Sequence, residues 1–207
     1  MVASRLHLVR HGEVHNPLRV LYGRLPGYHL SETGHQMAQA AAAHVASLGR
    51  PVTGLRCSPL ERAQESAEPF AERFGLTAEL DARIIEPTNV FEGRRMSRAL
   101  RDPRNWWHLR RPSLPSWGEA YRSIADRVQE AMDEAWDAAD DGDVVFVSHQ
   151  APIWITHLAI AGLPLRHDPR TRRCALSSVT SFERVGDVWR EVDYAEPAAA
   201  GIDLGAV

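Results

Sequence analysis

The chain has 207 residues, 44% of them hydrophobic and 25% charged, with a net charge of −3, which is the composition of one ordinary folded domain. All 24 basic residues are arginines, and the absence of lysine excludes a Schiff-base enzyme and a P-loop, because both need that side chain. The negative net charge and the lack of a long apolar stretch argue against a nucleic-acid partner and against a membrane.

The two cysteines, Cys57 and Cys174, are far apart and form no CxxC pattern. Such thiols suit a reducing compartment, and a disulfide between them is not expected. The N-terminal residues show no secretory signal pattern, so we expect a cytoplasmic protein.

Residues 5–9 form a short apolar run typical of a buried strand, and residues 16–30 are rich in Gly and Pro and predict a loop. Ser31 is placed to cap the alanine-rich helix that follows, which Gly49 and Pro51 close. The stretch "GLRCS" predicts a second strand, with Pro59 at the start of the next helix.

The stretches "LTAEL" and "RII" predict further short extended segments. Residues 87–116 form an irregular insert, in which the part from Arg94 to Arg111 holds seven arginines beside Trp106 and Trp107. Two interpretations stay open for this part: a lid that recognises an anionic or aromatic substrate, or a solvated helical face with two core tryptophans. The second is favoured because long basic side chains usually cover a solvated surface.

A long amphipathic helix is predicted from about Trp117 to Ala139, followed by the continuous apolar strand "DVVFVS" and a helix over "APIWITHLAIAG". Two final strands flank the turn at 186–187, and the Ala/Gly-rich tail at 195–207 is expected to be loosely held. Alternating strands and helices predict a single α/β domain over 1–207, with three α/β/α layers and a mostly parallel central sheet.

Polar groups follow three of the predicted strands at the point where each strand ends. His11 follows the first strand, His149 follows "VVFVS", and Arg62 lies in the first turn of the helix after "GLRCS". Because the carboxyl ends of parallel strands meet at one edge of a sheet, these residues and Arg10 should converge there. Two arginines and two histidines without acidic groups predict a pocket for a phosphate dianion.

Each of these residues has an ordinary structural alternative, since a single histidine at a strand end usually makes only structural hydrogen bonds. A second alternative is a metal site, because His7, His11 and His15 recur every four residues. Histidines four residues apart share a face only on a helix, and the β-rich run and Gly12 disfavour a helix here. No metal ligand is therefore predicted.

Several motifs resemble those of the histidine phosphatase superfamily, the phosphoglycerate mutase-like proteins. The similarity runs in order through "VRHGE" at 9–13, "CSPLERAQESA" at 57–67, "IIEPTNVFEGRRMS" at 84–97, "PSWGEAYRSIADRV" at 115–128 and "VVFVSHQAP" at 144–152. It covers about residues 5–194 and implies a phosphoglycerate mutase-like fold.

The resemblance also implies a mechanism. His11 would be the nucleophile that becomes phosphohistidine, while Gly12 would allow a sharp turn and offer its carbonyl to the imidazole. The phosphoryl oxygens would be held by Arg10, Arg62, His149 and Asn16. Neither a metal nor a cofactor is implied, because fixed cations can stabilise a transferring phosphoryl group.

Glu86 matches the position of the family's proton donor, but Pro87 and the spacing to Glu92-Gly93 depart from the common pattern. Glu92 is therefore a rival general acid. Gln150 follows the second histidine at a position where small residues are frequent in the family.

The expected function is hydrolysis of a small phosphorylated substrate by a histidine acid-type phosphatase. A cofactor-dependent phosphoglycerate mutase and a catalytically silent binding protein on the same fold are the alternatives. The arginines near the C-terminus, Arg166, Arg170, Arg172 and Arg173, are expected on a surface loop. The substrate and the oligomeric state are not specified by the sequence, and a homodimer is compatible with it.

Overall fold

A six-stranded sheet organises the computed structural model, which describes residues 3–110, 115 and 117–200. The strands are β1 (Arg5–Arg10), β2 (Val52–Cys57), β3 (Glu79–Leu80), β4 (Asp143–Ser148), β5 (Val179–Val185) and β6 (Val188–Ala195). They lie in the order β3-β2-β4-β1-β5-β6. The helices are α1 (Glu32–Ser47), α2 (Glu61–Phe74), α3 (Met96–Ala99), α4 (Trp106–Leu109), α5 (Tyr121–Ala138) and α6 (Gln150–Ile160). Strands β1 to β4 run parallel to one another, β5 pairs antiparallel with β1, and β6 pairs antiparallel with β5. The expected mostly parallel sheet is confirmed.

The central strands are buried on both faces, which explains their continuous apolar sequences. Alternate residues of β1 and β4, such as Leu8 and Phe146, pack with α5 and α6 on one face. Val9, Val145 and Val147 point to the other face and pack with α1 and α2. The expected three-layer α/β/α architecture follows from this alternation.

Local signals set several of the element boundaries. The hydroxyl of Ser31 accepts a hydrogen bond from the N–H of Gly34, so the predicted N-cap of α1 is confirmed. The left-handed Gly75 ends α2, although the sequence analysis did not single it out. Gly186 has a φ of +61° in the predicted turn between the last two strands.

Three predicted elements differ from the observed ones. The stretch "RII" is wrong as a strand, because Asp81 accepts a hydrogen bond from the N–H of Arg83 and caps a 3₁₀ turn at Ala82–Ile84. The extended segment "LTAEL" is reduced to the two residues of β3. The long helix begins at Tyr121 rather than Trp117, since the residues before it form turns.

The insert contains α3, a 3₁₀ turn at Pro103–Asn105 and α4, while residues 111–114 and 116 of its predicted span lie outside the described residues. Trp106 and Trp107 are 59% and 66% exposed, so their prediction as core residues is wrong. The guanidinium of Arg110 stacks on the ring of Trp107 at the surface.

The first part of the predicted loose tail is ordered. Ala195 ends β6, and a 3₁₀ turn at Pro197–Ala200 packs on α1 with Ala198 only 3% exposed. The rest of that prediction, residues 201–207, lies outside the described residues.

Cys57 and Cys174 are buried free thiols. Across the described part of the chain, we find no helix with both the length and the apolarity to cross a bilayer.

Candidate active site

Three adjacent parallel strands, β2, β4 and β1, bring their carboxyl ends together at one edge of the sheet. The ladder continues just past the strands: the N–H of His11 donates to the carbonyl of Ser148, and the N–H of Ser58 donates to the carbonyl of Val147. The rings of His11 and His149 consequently lie 5.2 Å apart between centroids. The predicted convergence of the strand-end residues is observed.

The imidazole of His11 is buried and held in one orientation. Its Nδ1–H donates to the carbonyl oxygen of Gly12 at 2.7 Å, so that the other nitrogen, Nε2, keeps its lone pair in the neutral ring. Burial lowers the pKa of His11 well below the usual value, and the charges of Arg10 and Arg62 lower it further. The ring is therefore neutral at pH 7, with the Nε2 lone pair available.

Gly12 serves a different purpose from the predicted sharp turn. It is not among the described residues with positive φ, but a Cβ at this position would lie 2.3 Å from the carbonyl oxygen of Gly34. Gly12 is needed because the backbone after β1 passes directly against the start of α1. The hydroxyl of Ser66 accepts a hydrogen bond from the N–H of Gly12 and fixes this approach.

Two guanidinium groups provide the positive charge. Arg62 is fully buried, and its Nη2 donates to the carbonyl of Gly23 at 2.7 Å, while its Nε and Nη1 have no partner. Arg10 donates from Nη1 to the carbonyl of Cys174, and its buried Nε is likewise unpartnered. Buried donors without acceptors are costly, so these N–H groups are available to donate to an anion.

The second histidine is oriented by a serine. Nε2 of His149 lies 2.7 Å from the hydroxyl oxygen of Ser58, which itself accepts from the N–H of Leu60. Nε2 is the acceptor that the described contacts offer to the hydroxyl hydrogen of Ser58, and with Ser58 as donor the ring proton lies on Nδ1, which is buried and unpartnered. Burial lowers the pKa of His149 well below its usual value, and the charges of Arg62 and Arg10 add to the effect. His149 is a neutral donor in this arrangement.

The segment that carries Glu86 is fixed through its backbone rather than through a strand. Ser148 donates to the carbonyl of Ile84 at 2.6 Å, and Arg127 donates to the carbonyl of Ile85 at 2.8 Å. Arg24 donates to the carbonyl of Glu86 itself. Arg24 and Arg127 both form ion pairs with Glu119. Glu119 of the Gly-Glu pair at 118–119 thus holds the two arginines that position the backbone around Glu86.

The carboxyl group of Glu86 has the properties of a proton donor. Its Oε2 is buried and has no hydrogen-bond partner. Burial raises the pKa of Glu86, and this effect outweighs the lowering by Arg172, Arg62 and Arg10. A carboxyl group with a raised pKa beside the phosphate donors suits general acid catalysis.

Glu92 has a different environment. Its Oε1 accepts from the backbone N–H groups of Arg24 and Asn89, so the side chain closes the loop next to Gly23. These contacts favour Glu86 over Glu92 as the acid.

Asn16 makes local contacts. Its amide nitrogen donates to the carbonyl of Val20, and its amide oxygen accepts from the N–H of Val20. Its contact with a phosphoryl oxygen stays a prediction.

The histidines of the alternative metal site have separate surroundings. His7 is buried between the hydroxyl of Ser181 and the carboxylate of Asp143, whereas His15 is exposed. Within residues 3–110, 115 and 117–200, no group of three or more His, Cys, Asp or Glu side chains could hold a metal ion.

Some site residues were not predicted from the sequence. Ser58 and Tyr22 belong to this group: the ring of Tyr22 lies 4.8 Å from the guanidinium of Arg62 and 6.5 Å from the ring of His11. Only the position of Ser58, beside the end of a strand, could have indicated its role. Tyr22 lies in an irregular loop with no pattern that points to the site.

The prediction of Arg172 as a surface-loop residue is wrong. Its side chain is partly buried and, together with Glu86 and Gln150, lines a cleft of ≈450 Å³. Burial lowers the pKa of Arg172, and the charge of Glu86 raises it. Arg170, two residues earlier, is exposed and paired with Asp168, as expected of a surface loop.

Comparison with known proteins agrees with this geometry. An uncharacterized protein of Mycobacterium tuberculosis, Rv0525, is 52% identical over 199 residues, which cover 95% of this chain and 98% of that protein. A probable phosphoglycerate mutase of Erwinia tasmaniensis, GpmB, is 28% identical over 84% of each chain. The structure of the mycobacterial glucosyl-3-phosphoglycerate phosphatase Rv2419c with inorganic phosphate is similar at a TM-score of 0.77 and 26% identity, covering 95% of this chain and 99% of that one.

The family model of the histidine phosphatase superfamily (branch 1) matches residues 6–197, which include all three strand ends that form the site. The match confirms the resemblance derived from the motifs. This chain belongs to the histidine phosphatase superfamily.

Proposed function

We propose that this protein is a metal-independent phosphatase that hydrolyses a small phosphomonoester through a phosphohistidine on His11. The observation that carries the proposal is the state of the His11 ring: it is buried and neutral, and its Nδ1–H is bonded to Gly12 so that Nε2 is free to attack. Nucleophilic catalysis requires such a lone pair within reach of the electrophile.

The first half of the reaction forms the covalent intermediate. The lone pair of Nε2 attacks phosphorus while the ester P–O bond breaks, and its electron pair goes to the leaving oxygen. Glu86 donates its proton to that oxygen, which is needed because an alkoxide is a poor leaving group. The unpartnered N–H groups of Arg10 and Arg62 donate hydrogen bonds to the phosphoryl oxygens and stabilise the negative charge that spreads over them.

The second half returns the enzyme to its starting state. Water attacks the phosphohistidine, gives up a proton to the carboxylate of Glu86, and releases inorganic phosphate as the N–P bond breaks. Two fixed guanidinium groups provide the electrostatic stabilisation that a divalent cation provides in other phosphoryl-transfer sites. Activity should consequently survive exhaustive chelation.

The test is direct trapping of the intermediate. Brief exposure to a ³²P-labelled phosphomonoester, followed by denaturation, should give a labelled protein whose bond is labile in acid and stable in base. The His11→Ala variant should show neither label nor turnover. Label that persists in this variant would disprove the assignment of the nucleophile.

A measurement of inorganic phosphate release separates hydrolysis from phosphoryl transfer within a substrate. A phosphatase releases inorganic phosphate in proportion to substrate consumed, whereas a mutase returns the phosphoryl group to a second hydroxyl. Stoichiometric phosphate release is the expected result. Isomerisation of 3-phosphoglycerate without phosphate release would instead show the mutase activity considered from the sequence.

A further inference from the structure

The cleft of ≈450 Å³ is lined in part by Glu86, whereas Arg10 and Arg62 are not among its lining residues. Its walls are largely apolar, with Phe91, Met96 and Ile124 among the lining residues, and Trp117 and Tyr121 add two aromatic side chains. Because Glu86 would protonate the leaving oxygen, this cleft is where the leaving group of a substrate would lie.

Arg172 is the basic group that lines this cleft among the described residues. Its Nε donates to Nε2 of His167 at 2.9 Å, and its Nη1 donates to the side-chain oxygen of Gln150 at 3.3 Å. His167 is a neutral acceptor, since its Nδ1–H is bonded to the carbonyl of Leu165 and burial lowers its pKa. Two neutral partners therefore hold the guanidinium in place without neutralising its charge.

The charges near the cleft exceed those that a phosphate group can balance. Arg10, Arg62 and Arg172 are positive, whereas His11 and His149 are neutral because burial lowers their pKa. Glu86 is the carboxyl group that acts on Arg172, and it must be protonated when it serves as the acid. A phosphomonoester dianion then offsets two of the three guanidinium charges and leaves one unmatched.

We infer that Arg172 forms a second anion subsite, which binds a carboxylate on the leaving group of the substrate while the body of that leaving group packs on the apolar walls. This inference rests on the proposed phosphatase function. A planar guanidinium matches a carboxylate in two-pronged geometry, and its fixed position gives selectivity rather than general attraction. The substrate class is thus a phosphomonoester with an apolar or ring-containing alcohol that carries one carboxylate.

The test compares two aryl phosphates that differ only in charge. The probes are 4-carboxyphenyl phosphate and 4-carbamoylphenyl phosphate, which have the same shape and similar leaving groups. For wild-type protein, kcat/KM should be at least about tenfold higher for the carboxylate, as a charge-assisted hydrogen bond implies. Arg172→Gln should bring this ratio to near one, and Arg172→Lys should give an intermediate ratio because it keeps the charge without the fork.

Arg170→Gln is the matched control. This residue lies on the same loop, but its side chain is 90% exposed and its fork is occupied by Asp168. Its removal should leave the wild-type ratio unchanged. A ratio altered as much by Arg170→Gln as by Arg172→Gln would show general surface attraction and would overturn the subsite.

Two further outcomes would also overturn the inference. A wild-type ratio near one would do so without the need for any variant, even if Arg172→Gln did not fold. Equal losses on both probes in Arg172→Gln would show that Arg172 acts through Glu86 and not on the substrate. If wild-type protein hydrolysed neither probe nor any other phosphomonoester, the proposed function itself would fail together with the subsite.

Discussion

Nε2 of His149 and the hydroxyl oxygen of Ser58 lie 2.7 Å apart in the interior, although 91 residues separate them in the sequence. Ser58 is fully buried, its oxygen also accepts from the N–H of Leu60, and Nε2 of His149 is the acceptor that the described contacts offer to its own hydrogen. With Ser58 as the donor, this contact places the proton of the His149 ring on Nδ1, the nitrogen that the proposed mechanism needs as a donor to the phosphoryl group.

The role of Ser58 can be tested with Ser58→Ala. Loss of the hydroxyl frees the His149 ring to take the other tautomer, and a neutral hydrogen bond of this kind contributes about 1 kcal/mol, or about fivefold. We expect kcat/KM to fall by about three- to tenfold and vanadate inhibition to weaken in parallel. Ser47→Ala, at an exposed serine on α1, is the control and should change neither quantity. Unchanged vanadate affinity in Ser58→Ala would argue against this role.

The assignment of the general acid predicts a dependence on the leaving group. Glu86→Gln should strongly slow hydrolysis of an alkyl phosphate and largely spare p-nitrophenyl phosphate, whose leaving anion needs no proton near neutral pH. Glu92→Gln should have little effect on either substrate, because the glutamine oxygen can still accept from the N–H groups of Arg24 and Asn89. The measurement is kcat/KM for both variants on both substrates. The reverse pattern would assign the acid to Glu92.

Arg62→Lys tests the geometry of the phosphate donors. One arm of Arg62 is used by the carbonyl of Gly23, while Nε and Nη1 stay available, and lysine cannot reproduce this arrangement. We expect kcat to fall by about 10²-fold or more, the usual effect of removing a donor to the transition state. Arg122→Lys, at an exposed residue of α5, should retain wild-type kinetics. Near-normal turnover in Arg62→Lys would show that two-pronged binding is not needed.

The pKa values of the buried His11 and His149 should shift in the opposite direction from the pKa of the exposed His29. In an NMR titration, the midpoints of His11 and His149 should lie below the ordinary value of about 6.5, chiefly because burial disfavours their charged forms. The exposed His29 should titrate above that value, since its hydrogen bond to Glu65 raises its pKa, and it serves as the internal reference. Midpoints of His11 and His149 at or above that of His29 would contradict the neutral state of the site.

The same pKa shifts predict how stability depends on pH. Below about pH 6.5 the unfolded chain binds protons at these two histidines while the folded protein does not, so protonation favours unfolding. Their contribution to the free energy of unfolding is fully present above that pH and decreases as the pH falls towards the lowered folded-state values. Urea unfolding at pH 7.5 and 5.5 measures this loss, and His149→Gln should reduce the difference between the two conditions. An equal difference in wild type and variant would show that other groups cause it.

Local patterns were sufficient to predict much of the architecture and the centre of the site. Continuous apolar runs predicted the buried strands β1 and β4, and Ser31 predicted the start of α1, because each depends on nearby residues alone. The positions of His11 and His149 followed from one rule: parallel strands end at the same edge. The motif resemblance added Glu86 as the proposed general acid from its position in the sequence.

Other features depend on contacts between distant parts of the chain, which no local pattern contains. Arg172 looked like one surface arginine among several, and only folding brings it to Glu86, Gln150 and His167. The backbone of Glu86 is fixed by arginines from two other segments, and the preceding "RII" forms a 3₁₀ turn rather than a strand because Asp81 caps it. Gly12 is required by the approach of α1, not by its own φ. The sequence alone therefore determined the central strands, the long helices and the residues at the strand ends, because apolar periodicity depends on nearby residues and the parallel-strand rule needs only the knowledge that the strands are parallel. Only the tertiary structure decided which side chains orient those residues and that Arg172 lines the cleft beside Glu86, because burial and pairing are properties of the packed chain.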